Sequence, residues 1–422
     1  MPEKFIIHGG KSLRGEIEVR GAKNAAFPIL AATLLTKETC EISNLPLIED
    51  VFRMIEILES MGAQVSWQGE RTLRIKTNSV DPSKINKNLI LKLRGSVLFF
   101  GPLLARFGRT SLPQPGGCLI GARPIWTHLD AFSQLGVDVV PKRGSFHLEL
   151  KKPLKDQTIV LNELSVTATE NVLLFCSAFP VRITLKIADC DYQVLELIKF
   201  LKKAGSKIKW ASPHTLIIQG QKKLRGVKHR LIYDPIEAGT FIIMAAASKG
   251  NVIVKNVEVP FLDLPLKKLK DFGVPFKVIS SRAIQVFPWK NLRIDKIQSL
   301  PYPGIPSDLQ SVFGVLATQA KGTTIIHDPL YEGRLKYLEE LNKMGAKIFF
   351  ADPHRATIEG PTPLLGAELG PLDLRGGAAL IIAGLIAKGK TIINNIYQVD
   401  RGYEKIEERL EKLGADIKRI KE

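Results

Sequence analysis

One cysteine of this chain lies in a loop whose composition suits chemistry. The stretch LPQPGGCLIGARPIWTH, from Leu112 to His128, sets Cys118 among glycines and five residues before Arg123. The glycines allow backbone angles that other residues avoid, and the prolines restrict the flanks of the loop. Because loops carry reactive groups and nearby arginines favour the thiolate, we expect Cys118 to be a reactive thiol. A Cys-His hydrolase with His128 as the base is the alternative that this spacing leaves open.

Six positively charged residues, four of them next to a glycine in sequence, are candidates for binding anions. An arginine or lysine beside glycine can approach a phosphate or carboxylate with backbone amides as well as with its side chain. Each one alone is equally compatible with an ordinary surface charge. Taken together, they predict a site for a substrate with several negative charges. The six are Lys23, Arg94, Arg123, Arg334, Arg375 and Arg401.

Polar residues also stand where apolar helices are expected to begin. Lys23 and Asn24 precede such a helix, where backbone donors favour an anion, and Asn24 is alternatively the cap of that helix. Asp308, in IPSDLQSVF, and Asp234, in IYDPIEAGTF, hold matching positions at two later helices. Each aspartate is therefore either a helix cap or a catalytic base.

The elements that must position these residues recur six times along the chain. In each copy a helix ends at a glycine and an alternating strand follows, and these glycines recur every 68 to 74 residues. A strongly apolar helix and a second strand separate successive copies. We predict six βαβαββ units in two α/β domains of three, one over residues 20–232 and the other over residues 1–19 and 233–422. The glycines are Gly62, Gly136, Gly205, Gly273, Gly345 and Gly414.

Composition places the chain among ordinary soluble proteins. It has 422 residues, of which 45% are hydrophobic and 24% charged, and its net charge is +18. We expect no secretory signal, no membrane span, and four reduced thiols without a CxxC pair in a cytoplasmic protein. The positive charge requires an anionic partner, either a polyanion or a small substrate with several phosphates and carboxylates. The absence of nucleic-acid-binding motifs favours the small substrate and predicts neither a nucleic acid nor a membrane as partner.

Several reaction classes lose support because their motifs are missing. The GGKS stretch at Gly9 lacks the earlier glycine of a P-loop, since Phe5 occupies that position. Neither GxGxxG nor GxSxG occurs, and the histidines show no paired metal spacing. We therefore expect no metal and no cofactor, and we disfavour nucleotide hydrolysis, hydride transfer and zinc-dependent hydrolysis.

The motifs GAKNAAFPIL, PGGCLIGARP, PSDLQ, EGR, DLRGG and VDRGYEKIEERL together resemble the enolpyruvyl transferase family. The resemblance is closest to its UDP-N-acetylglucosamine 1-carboxyvinyltransferases and runs from Phe5 to Lys418. It implies an inside-out α/β barrel architecture in two domains that close on their substrates. The implied reaction moves the enolpyruvyl group of phosphoenolpyruvate to the 3-hydroxyl of UDP-N-acetylglucosamine, without a metal. This is the first committed step of peptidoglycan precursor synthesis.

The resemblance also implies roles for individual residues. Cys118 is implied to protonate the methylene carbon of phosphoenolpyruvate, to assist product release and to be the target of fosfomycin. Asp308 is implied to take the proton of the sugar hydroxyl, and Arg375 to support the closed site. The remaining binding residues divide into two sets. For phosphoenolpyruvate they are Lys23, Asn24, Arg123 and Arg401, and Lys23 and Arg401 are also implied to be catalytic. For the UDP-sugar they are Arg94, Arg123, Pro124, Ile125, Trp126, Thr127, Asp308 and Leu330. Arg334 and Arg375 are implied to bind substrate as well, without assignment to one of the two.

The chain departs from the family pattern at four places. Asp189–Gln193 stands where an Ala-Arg-Glu-Pro-Glu-like run is usual, and Glu163 stands where a lysine is common. Thr167 replaces a glycine, and Gly333 replaces an asparagine. Two alternatives therefore stay open, namely an enolpyruvyl transferase with a different phosphorylated acceptor and a basic binding protein on the same fold. The sequence makes no prediction of the oligomeric state.

Overall fold

The computed structural model describes residues 3–117 and 120–421. Its helices and strands alternate along the chain. The helices are α1 (Lys23–Ala32), α2 (Glu49–Ser60), α3 (Lys87–Lys92), α4 (Phe100–Phe107), α5 (Trp126–Gln134), α6 (Val166–Cys176), α7 (Tyr192–Ala204), α8 (Pro235–Ala247), α9 (Asp263–Phe272), α10 (Ser307–Ala317), α11 (Tyr337–Lys343), α12 (Leu374–Ile386), α13 (Tyr397–Asp400) and α14 (Ile406–Glu411).

The strands are short. They are β1 (Glu3–His8), β2 (Arg14–Glu18), β3 (Cys40–Ser43), β4 (Gln64–Trp67), β5 (Leu73–Lys76), β6 (Arg109–Pro113), β7 (Val137–Lys142), β8 (Ser145–Leu150), β9 (Gln157–Val160), β10 (Arg182–Lys186), β11 (Lys207–Ser212), β12 (Thr215–Gln219), β13 (Lys228–Arg230), β14 (Asn251–Lys255), β15 (Phe276–Ser280), β16 (Ala283–Val286), β17 (Lys296–Gln298), β18 (Gly322–His327), β19 (Lys347–Asp352), β20 (Arg355–Gly360), β21 (Glu368–Leu369), β22 (Lys390–Ile393) and β23 (Asp416–Lys421).

The sheets repeat one pattern and confirm the predicted βαβαββ unit. In the sheet β11-β12-β10-β9, the first two strands of the unit, β9 and β10, are parallel and are joined through α6. The last two strands, β11 and β12, form an antiparallel hairpin that joins the sheet through β12. The sheets β4-β5-β3-β13, β15-β16-β14-β2, β19-β20-β18-β17 and β23-β1-β22-β21 have the same order. Parallel neighbours need such a helical crossover, whereas antiparallel ones need only a turn.

The second unit departs from the prediction. Its sheet, β6-β8-β7, has three strands among the described residues and no strand that corresponds to β9. The chain before α4 instead forms α3, whose first turn is capped by the side chain of Asn86 through the backbone N–H groups of Asn88 and Leu89. The segment KNLILK lacks the alternation of a half-buried strand, and an asparagine cap before it favours a helix.

The six glycines that were predicted to end helices all adopt a positive φ. Their φ angles lie between +82° at Gly136 and +124° at Gly205. At positive φ a Cβ atom clashes with the neighbouring backbone, and glycine has no Cβ atom. Glycine therefore ends the amphipathic helix of each unit at little energetic cost. The helix-to-strand turn is thus the most regular part of the repeat.

Contacts divide the chain into two compact units. The N-terminal unit comprises residues 21–117 and 123–232, and the C-terminal unit comprises residues 3–20, 120–122 and 233–421. The sequence-based division placed residues 120–122 with the rest of the Cys118 loop. In the structure they contact the C-terminal unit, where the backbone N–H of Gly333 donates to the carbonyl of Ile120 at 2.9 Å.

In the N-terminal unit, α4 and α6 pack together and α1 contacts α6 and α7. Nine of the ten residues of α1 are buried, so this helix is enclosed on nearly all sides. The phenyl ring of Phe27 lies against Gly95, where an added Cβ atom would come within 2.4 Å of the ring. Gly95 thereby brings the chain that carries Arg94 close to the first helix.

The C-terminal unit is built around α8, α10 and α12. All residues of α8 are buried, and α10 packs against both other helices. Gly239 permits the approach of α8 to α10, because a Cβ atom there would lie 2.6 Å from the side chain of Leu309. Helices that are apolar on all faces need such complete enclosure. Across the described parts of both units, no helix combines the length and the apolar character that crossing a bilayer requires.

Candidate functional site

Lys23 is the first residue of α1 and is buried with a counter-ion. Its Nζ lies 2.8 Å from Oδ2 of Asp50, and both side chains are at least nine-tenths buried. Asp50 belongs to the first turn of α2. A cation at the N-terminus of a helix is disfavoured by the helix dipole, and the Asp50 carboxylate offsets that cost. The fold therefore maintains a positive charge where helix stability alone would select against one.

Asn24 is not the cap of this helix. The N-cap residue is Ala22, which makes no side-chain capping bond, and Asn24 lies inside the first turn with a half-buried side chain. The alternative prediction that Asn24 only caps α1 is therefore wrong. Its amide remains available next to Lys23.

Arg94, Arg123 and Pro124 come together in the N-terminal unit. Nη2 of Arg94 donates to the carbonyl oxygen of Pro124 at 3.1 Å. Gly117 lies against both arginines, because a Cβ atom there would be 2.9 Å from Cβ of Arg94 and 3.1 Å from Nη2 of Arg123. The φ of +121° at Gly117 also requires glycine. The glycine-rich loop thus places two half-buried guanidinium groups beside its backbone.

The residues that follow Arg123 divide into exposed and buried positions. Ile125 is buried, Trp126 is 61% exposed at the start of α5, and Pro124 is exposed. The hydroxyl of Thr127 donates to Oε1 of Glu163 at 2.8 Å. The departure at position 163 therefore brings an acceptor to the predicted nucleotide-binding segment, where a lysine would bring a donor.

His128 is buried and is poorly suited to act as a base. Its Nδ1 accepts a hydrogen bond from Nδ2 of Asn171 at 2.9 Å, and its Nε2 lies 3.1 Å from the hydroxyl of Thr167. The amide nitrogen of Asn171 can only donate, so Nδ1 of His128 accepts and Nε2 of His128 carries the proton. Burial, with a smaller contribution from the charge of Arg94, lowers the pKa of His128 to about 3. This geometry disfavours the Cys-His hydrolase alternative.

Asp308 lies between two buried arginines in the C-terminal unit. Its Oδ1 is 2.9 Å from Nη2 of Arg334, and its Oδ2 is 3.1 Å from Nε of Arg375. The Asp308 side chain is 27% exposed, whereas the two guanidinium groups are almost fully buried. The N-cap of α10 is Pro306 and makes no side-chain capping bond, so Asp308 is not a cap. Asp234, by contrast, caps α8 through the backbone N–H groups of Ile236 and Glu237.

Further carboxylates and a hydroxyl hold Arg334 in place. Its Nε donates to Oγ of Ser307 at 2.9 Å, and its Nη1 lies 3.3 Å from Oδ1 of Asp373. Burial lowers the pKa of Arg334, but the charges of Asp308, Asp373 and Asp328 outweigh burial and raise it above the usual value. Arg334 is consequently a fixed cation.

Asp328 organises the turn that contains Leu330. Its Oδ1 accepts hydrogen bonds from the backbone N–H groups of Leu330 and Tyr331, and its Oδ2 accepts one from the hydroxyl of Ser307 at 2.5 Å. Asp328 is fully buried, while Leu330 is 40% exposed. The turn therefore presents Leu330 to solvent and is tied to the first turn of α10, which carries Asp308.

Arg375 is held on its other side by Tyr403. Its Nη1 donates to the Tyr403 hydroxyl at 3.0 Å, and this hydroxyl lies 2.9 Å from Oγ1 of Thr240. Because Thr240 donates its own proton to the carbonyl of Ile236, the Tyr403 hydroxyl donates to Thr240. Burial lowers the pKa of Arg375, but the effects of nearby Tyr403 and of the carboxylates are larger than that of burial. The pKa of Arg375 is therefore raised well above its usual value.

Arg401 follows α13 and is buried two residues before Tyr403. Its Nη1 donates to Oε1 of Gln398 at 3.1 Å. The predicted residues thus form two groups, each within one unit, and Cys118 lies outside the described residues. The N-terminal unit contains Lys23, Asn24, Arg94, Arg123, Pro124, Ile125, Trp126 and Thr127, and the C-terminal unit contains Asp308, Leu330, Arg334, Arg375 and Arg401.

Besides Gln398 and Tyr331, five polar residues that contact the predicted ones were missed. They are Asp50, Ser307, Asp328, Asp373 and Tyr403. Tyr403 stands two residues after Arg401 in the motif RGYEK, and Asp328 is in the turn HDPL. Ser307, Asp373 and Tyr403 contact arginines that lie 27, 39 and 28 residues away in sequence, so the three-dimensional structure is needed to identify them.

The described cysteines are unsuited to nucleophilic chemistry. Burial raises the pKa of Cys40 to about 11 and raises the pKa of Cys176 further. The pKa of Cys190 is also raised, by burial and by the charges of Asp189 and Asp191. Thiols of this kind are protonated at neutral pH and react slowly. Residues 3–117 and 120–421 contain no group of three or more histidine, cysteine or acidic residues that could hold a metal ion.

Comparison with known proteins agrees with this architecture. Residues 7–410 match the family model of EPSP synthase (3-phosphoshikimate 1-carboxyvinyltransferase). The chain is 42% identical over 420 residues to UDP-N-acetylglucosamine 1-carboxyvinyltransferase of Halothermothrix orenii, covering 99% of this chain and 100% of the relative. It is 37% identical over 418 residues to the enzyme of that name from Coxiella burnetii, covering 99% and 96%.

Solved structures show the same fold. The enolpyruvyl transferase NikO from Streptomyces tendae superposes with a TM-score of 0.89 at 25% identity, and 99% of each chain is covered. EPSP synthase from Acinetobacter baumannii superposes with a TM-score of 0.75 at 17% identity, over the full length of both chains. The match to the family model and the near-complete coverage of both chains confirm the resemblance seen in the motifs. The chain therefore belongs to the carboxyvinyltransferase family that includes EPSP synthase and UDP-N-acetylglucosamine 1-carboxyvinyltransferase.

Proposed function

We propose that this chain transfers the enolpyruvyl group of phosphoenolpyruvate to the 3-hydroxyl of UDP-N-acetylglucosamine and releases phosphate. The observation that carries this proposal is the 42% identity, over the whole length of both chains, to a relative named for this activity. We further propose that the reaction occurs in the cytoplasm, as the first committed step of peptidoglycan precursor synthesis. The charges and contacts of the described residues support the chemistry as follows.

The cations are suited to a substrate that carries phosphate and carboxylate groups. Lys23, Arg123 and Arg401 are the proposed ligands of phosphoenolpyruvate. Both Lys23 and Arg401 are more than nine-tenths buried, and ion pairs in such surroundings are screened less by water than those at the surface. We propose that Asn24, next to Lys23, also contacts this substrate.

Asp308 is the proposed acceptor of the proton from the sugar hydroxyl. Two guanidinium groups hold its carboxylate in the ionised form, and its exposed fraction leaves one side open to a substrate. A base must be unprotonated before it reacts, and the two arginines meet that requirement while fixing the direction of the carboxylate. The proposed partners of the UDP-sugar are Arg94, the segment 123–127 and Leu330.

Cys118 is the proposed proton donor to carbon. In the first half-reaction the sugar oxygen bonds to C2 of phosphoenolpyruvate, Asp308 takes the hydroxyl proton, and the thiol proton goes to the C3 methylene. In the second half-reaction the Cys118 thiolate takes a proton back from the resulting methyl group, and the double bond forms again as the C2–O bond to phosphate breaks. The proton held by Asp308 passes to the leaving phosphate. Phosphate leaves with the negative charge, and fixed cations stabilise the charged intermediate.

The departures from the family pattern have structural roles. Oδ1 of Asp189 accepts from the backbone N–H of Asp191, and the Asp191 side chain in turn caps α7 through Tyr192. Thr167 contacts His128, and Glu163 contacts Thr127. Among these three departures, Glu163 is the one whose contact reaches a proposed substrate-binding segment, and the fourth, Gly333, directly precedes Arg334. We therefore propose that the acceptor is unchanged and that its affinity is the property most open to alteration.

Phosphate release tests the proposed function. Purified protein is incubated with phosphoenolpyruvate, with and without UDP-N-acetylglucosamine, and the nucleotide product is identified by mass spectrometry. We expect phosphate release only with the sugar nucleotide and a product heavier by one enolpyruvyl group. Release only with a different phosphorylated acceptor would replace the proposal by a related transferase. No release with any acceptor would leave a binding protein.

Replacement of the reactive thiol tests the role of Cys118. The variant Cys118→Ser should keep the melting temperature within about 2 °C, because serine and cysteine are similar in size and differ by a single atom. Its steady-state turnover should fall at least about 100-fold, because a hydroxyl is a much poorer proton donor at neutral pH. Fosfomycin should modify the parent protein at Cys118 and leave this variant unmodified. Unaltered turnover of the variant would exclude the assigned role.

A further inference from the structure

Arg419 contacts three carboxylates at once. Nη2 of Arg419, on β23, lies 2.7 Å from Oδ1 of Asp400, and its Nη1 lies 2.9 Å from Oδ2 of the same residue. Its Nε is 2.5 Å from Oε1 of Glu407, and its Nη1 is 2.7 Å from Oε2 of Glu3. The guanidinium also stacks on the Phe5 ring, with 5.1 Å to the centroid. All four charged side chains are at most 26% exposed.

Two of these carboxylates lie on either side of one turn. Asp400 is the last residue of α13, and Glu407 belongs to the first turn of α14. The five residues between the two helices form a turn that carries Arg401 and Tyr403. A single guanidinium group therefore holds both ends of the turn, and each bond is bidentate or charge-assisted.

Arg409 also holds the turn, since its Nη1 donates to the carbonyl oxygen of Glu404 at 3.3 Å, but the restraints within the turn itself are weak. Lys405, at its end, has a φ of +41°, which is unfavourable for a residue with a side chain. Lys405 is also the N-cap of α14 and makes no side-chain capping bond. Inside the turn, the backbone N–H groups of Gly402 and Tyr403 share the carbonyl of Val399 at 3.0 Å. A strained turn of this kind keeps one shape only when its surroundings determine it.

Electrostatics adds to this dependence. Arg419 contacts all three carboxylates, whereas the contact of Lys421 among the described residues is with Glu3, at 3.2 Å. The negative charges of the three carboxylates repel one another when no cation lies between them. The pKa of Arg419 is raised far above its usual value, mainly by the hydrogen bonds to Asp400. Loss of this guanidinium would therefore drive the two ends of the turn apart.

We propose that Arg419 is a positioning residue, which fixes the turn 401–405 and thereby the direction of Arg401. The same turn places the Tyr403 hydroxyl against Arg375. Arg419 therefore also affects how Arg375 is held. This inference rests on the proposed function in so far as Arg401 is taken to bind phosphoenolpyruvate. Arg419 itself contacts none of the proposed ligands.

The test compares two cations of the same strand. Arg419→Gln removes the contact with the turn, and Arg419→Lys keeps the charge without the fork that can serve two carboxylates. Lys421→Gln is the matched control, because it shares the partner Glu3 and contacts neither Asp400 nor Glu407. The measured quantities are KM for phosphoenolpyruvate, KM for UDP-N-acetylglucosamine, kcat, and hydrogen exchange of the peptide 398–406.

We expect Arg419→Gln to raise KM for phosphoenolpyruvate about 10- to 100-fold, because small displacements of a binding group cost this much. KM for the sugar nucleotide should change much less, and exchange in 398–406 should accelerate. Arg419→Lys should fall between the parent and Arg419→Gln, and Lys421→Gln should resemble the parent. A lower melting temperature with unchanged kinetic constants and unchanged exchange would show a purely structural residue and overturn the proposal.

Two further outcomes remain informative. If Arg419→Gln does not fold, Asp400→Asn takes its place, since it releases one end of the turn and leaves Glu407 and Glu3 bound. If the parent protein shows no turnover of phosphoenolpyruvate, the proposed function fails while hydrogen exchange still decides whether Arg419 fixes the turn. Exchange equal to that of Lys421→Gln would then refute the positioning role.

Discussion

A buried glutamate in the N-terminal unit makes the stability of this protein depend on pH in a predictable direction. Glu170, on α6, is 1% exposed, and its Oε1 has no hydrogen-bond partner among the described residues. Burial, followed by the charges of Asp189 and Asp191, raises its pKa well above the usual 4.5. We predict that Glu170→Gln stabilises the protein at neutral pH.

The size of the effect follows from proton linkage. Above pH 4.5 the unfolded chain releases the Glu170 proton, whereas the folded protein keeps it up to its raised pKa. Folding therefore takes up a proton in this window, and the free energy of unfolding falls by about 1.4 kcal/mol per pH unit. Glutamine has no proton to lose, so the difference between variant and parent should grow from near zero at pH 4.5 by the same slope. The growth ends at the pKa of the folded protein.

Urea unfolding at pH 5, 6 and 7 measures this difference. The variant Glu359→Gln, at a position 61% exposed on β20, is the control for loss of a glutamate, and it should change stability by less than about 0.5 kcal/mol. A difference between Glu170→Gln and the parent that does not vary with pH would refute the assignment of a protonated, buried carboxyl group. A variant that is less stable than the parent at pH 7 would do the same.

Three other substitutions test the contacts of the site. Tyr403→Phe removes one acceptor from the buried Arg375 and should lower the free energy of unfolding by about 1.5–3 kcal/mol in denaturant titrations, while Tyr397→Phe, on the exposed side of α13, should have no measurable effect. Asp308→Asn should lower kcat at least about 100-fold in the phosphate-release assay, because it removes the proposed base, and a change in KM alone would contradict that role. Gly117→Ala should raise KM for UDP-N-acetylglucosamine and lower the free energy of unfolding by about 1–3 kcal/mol, because the new Cβ atom would meet Arg94. Unchanged thermal unfolding would contradict this packing.

The regular parts of the fold were predictable because they depend on local sequence. Gly62 and its five counterparts end helices through a backbone requirement that a single residue satisfies. The missing strand of the second unit was not predicted, because LILKL is apolar enough for either structure and the Asn86 cap decided in favour of a helix. Local signals therefore specify where a helix stops more reliably than whether a short apolar run is a helix or a strand.

The candidate site was predictable only for residues that belong to distinctive motifs. Asp308 was found in this way, but whether it is a helix cap or a base could be judged only from the arginines that contact it. Asp50 and Tyr403 were missed, because an ion pair with Lys23 and a hydrogen bond to Arg375 join segments that are far apart in sequence. Burial of charge has no local signal, and the raised pKa of Glu170 could be recognised only after its surroundings were known.

The order of strands has a consequence for synthesis on the ribosome. β1 pairs with β22 on one side and β23 on the other, and β2 pairs with β14. The three sheets of the N-terminal unit contain only strands from residues 40–230, so they can form while later residues are still being translated. Both edges of β1 stay unpaired until β22 is made, and one edge stays unpaired until β23 follows, which exposes β1 to association with other chains. A nascent chain that stalls before residue 416 would therefore hold a finished N-terminal unit beside an open strand, a form that chaperones and proteases recognise.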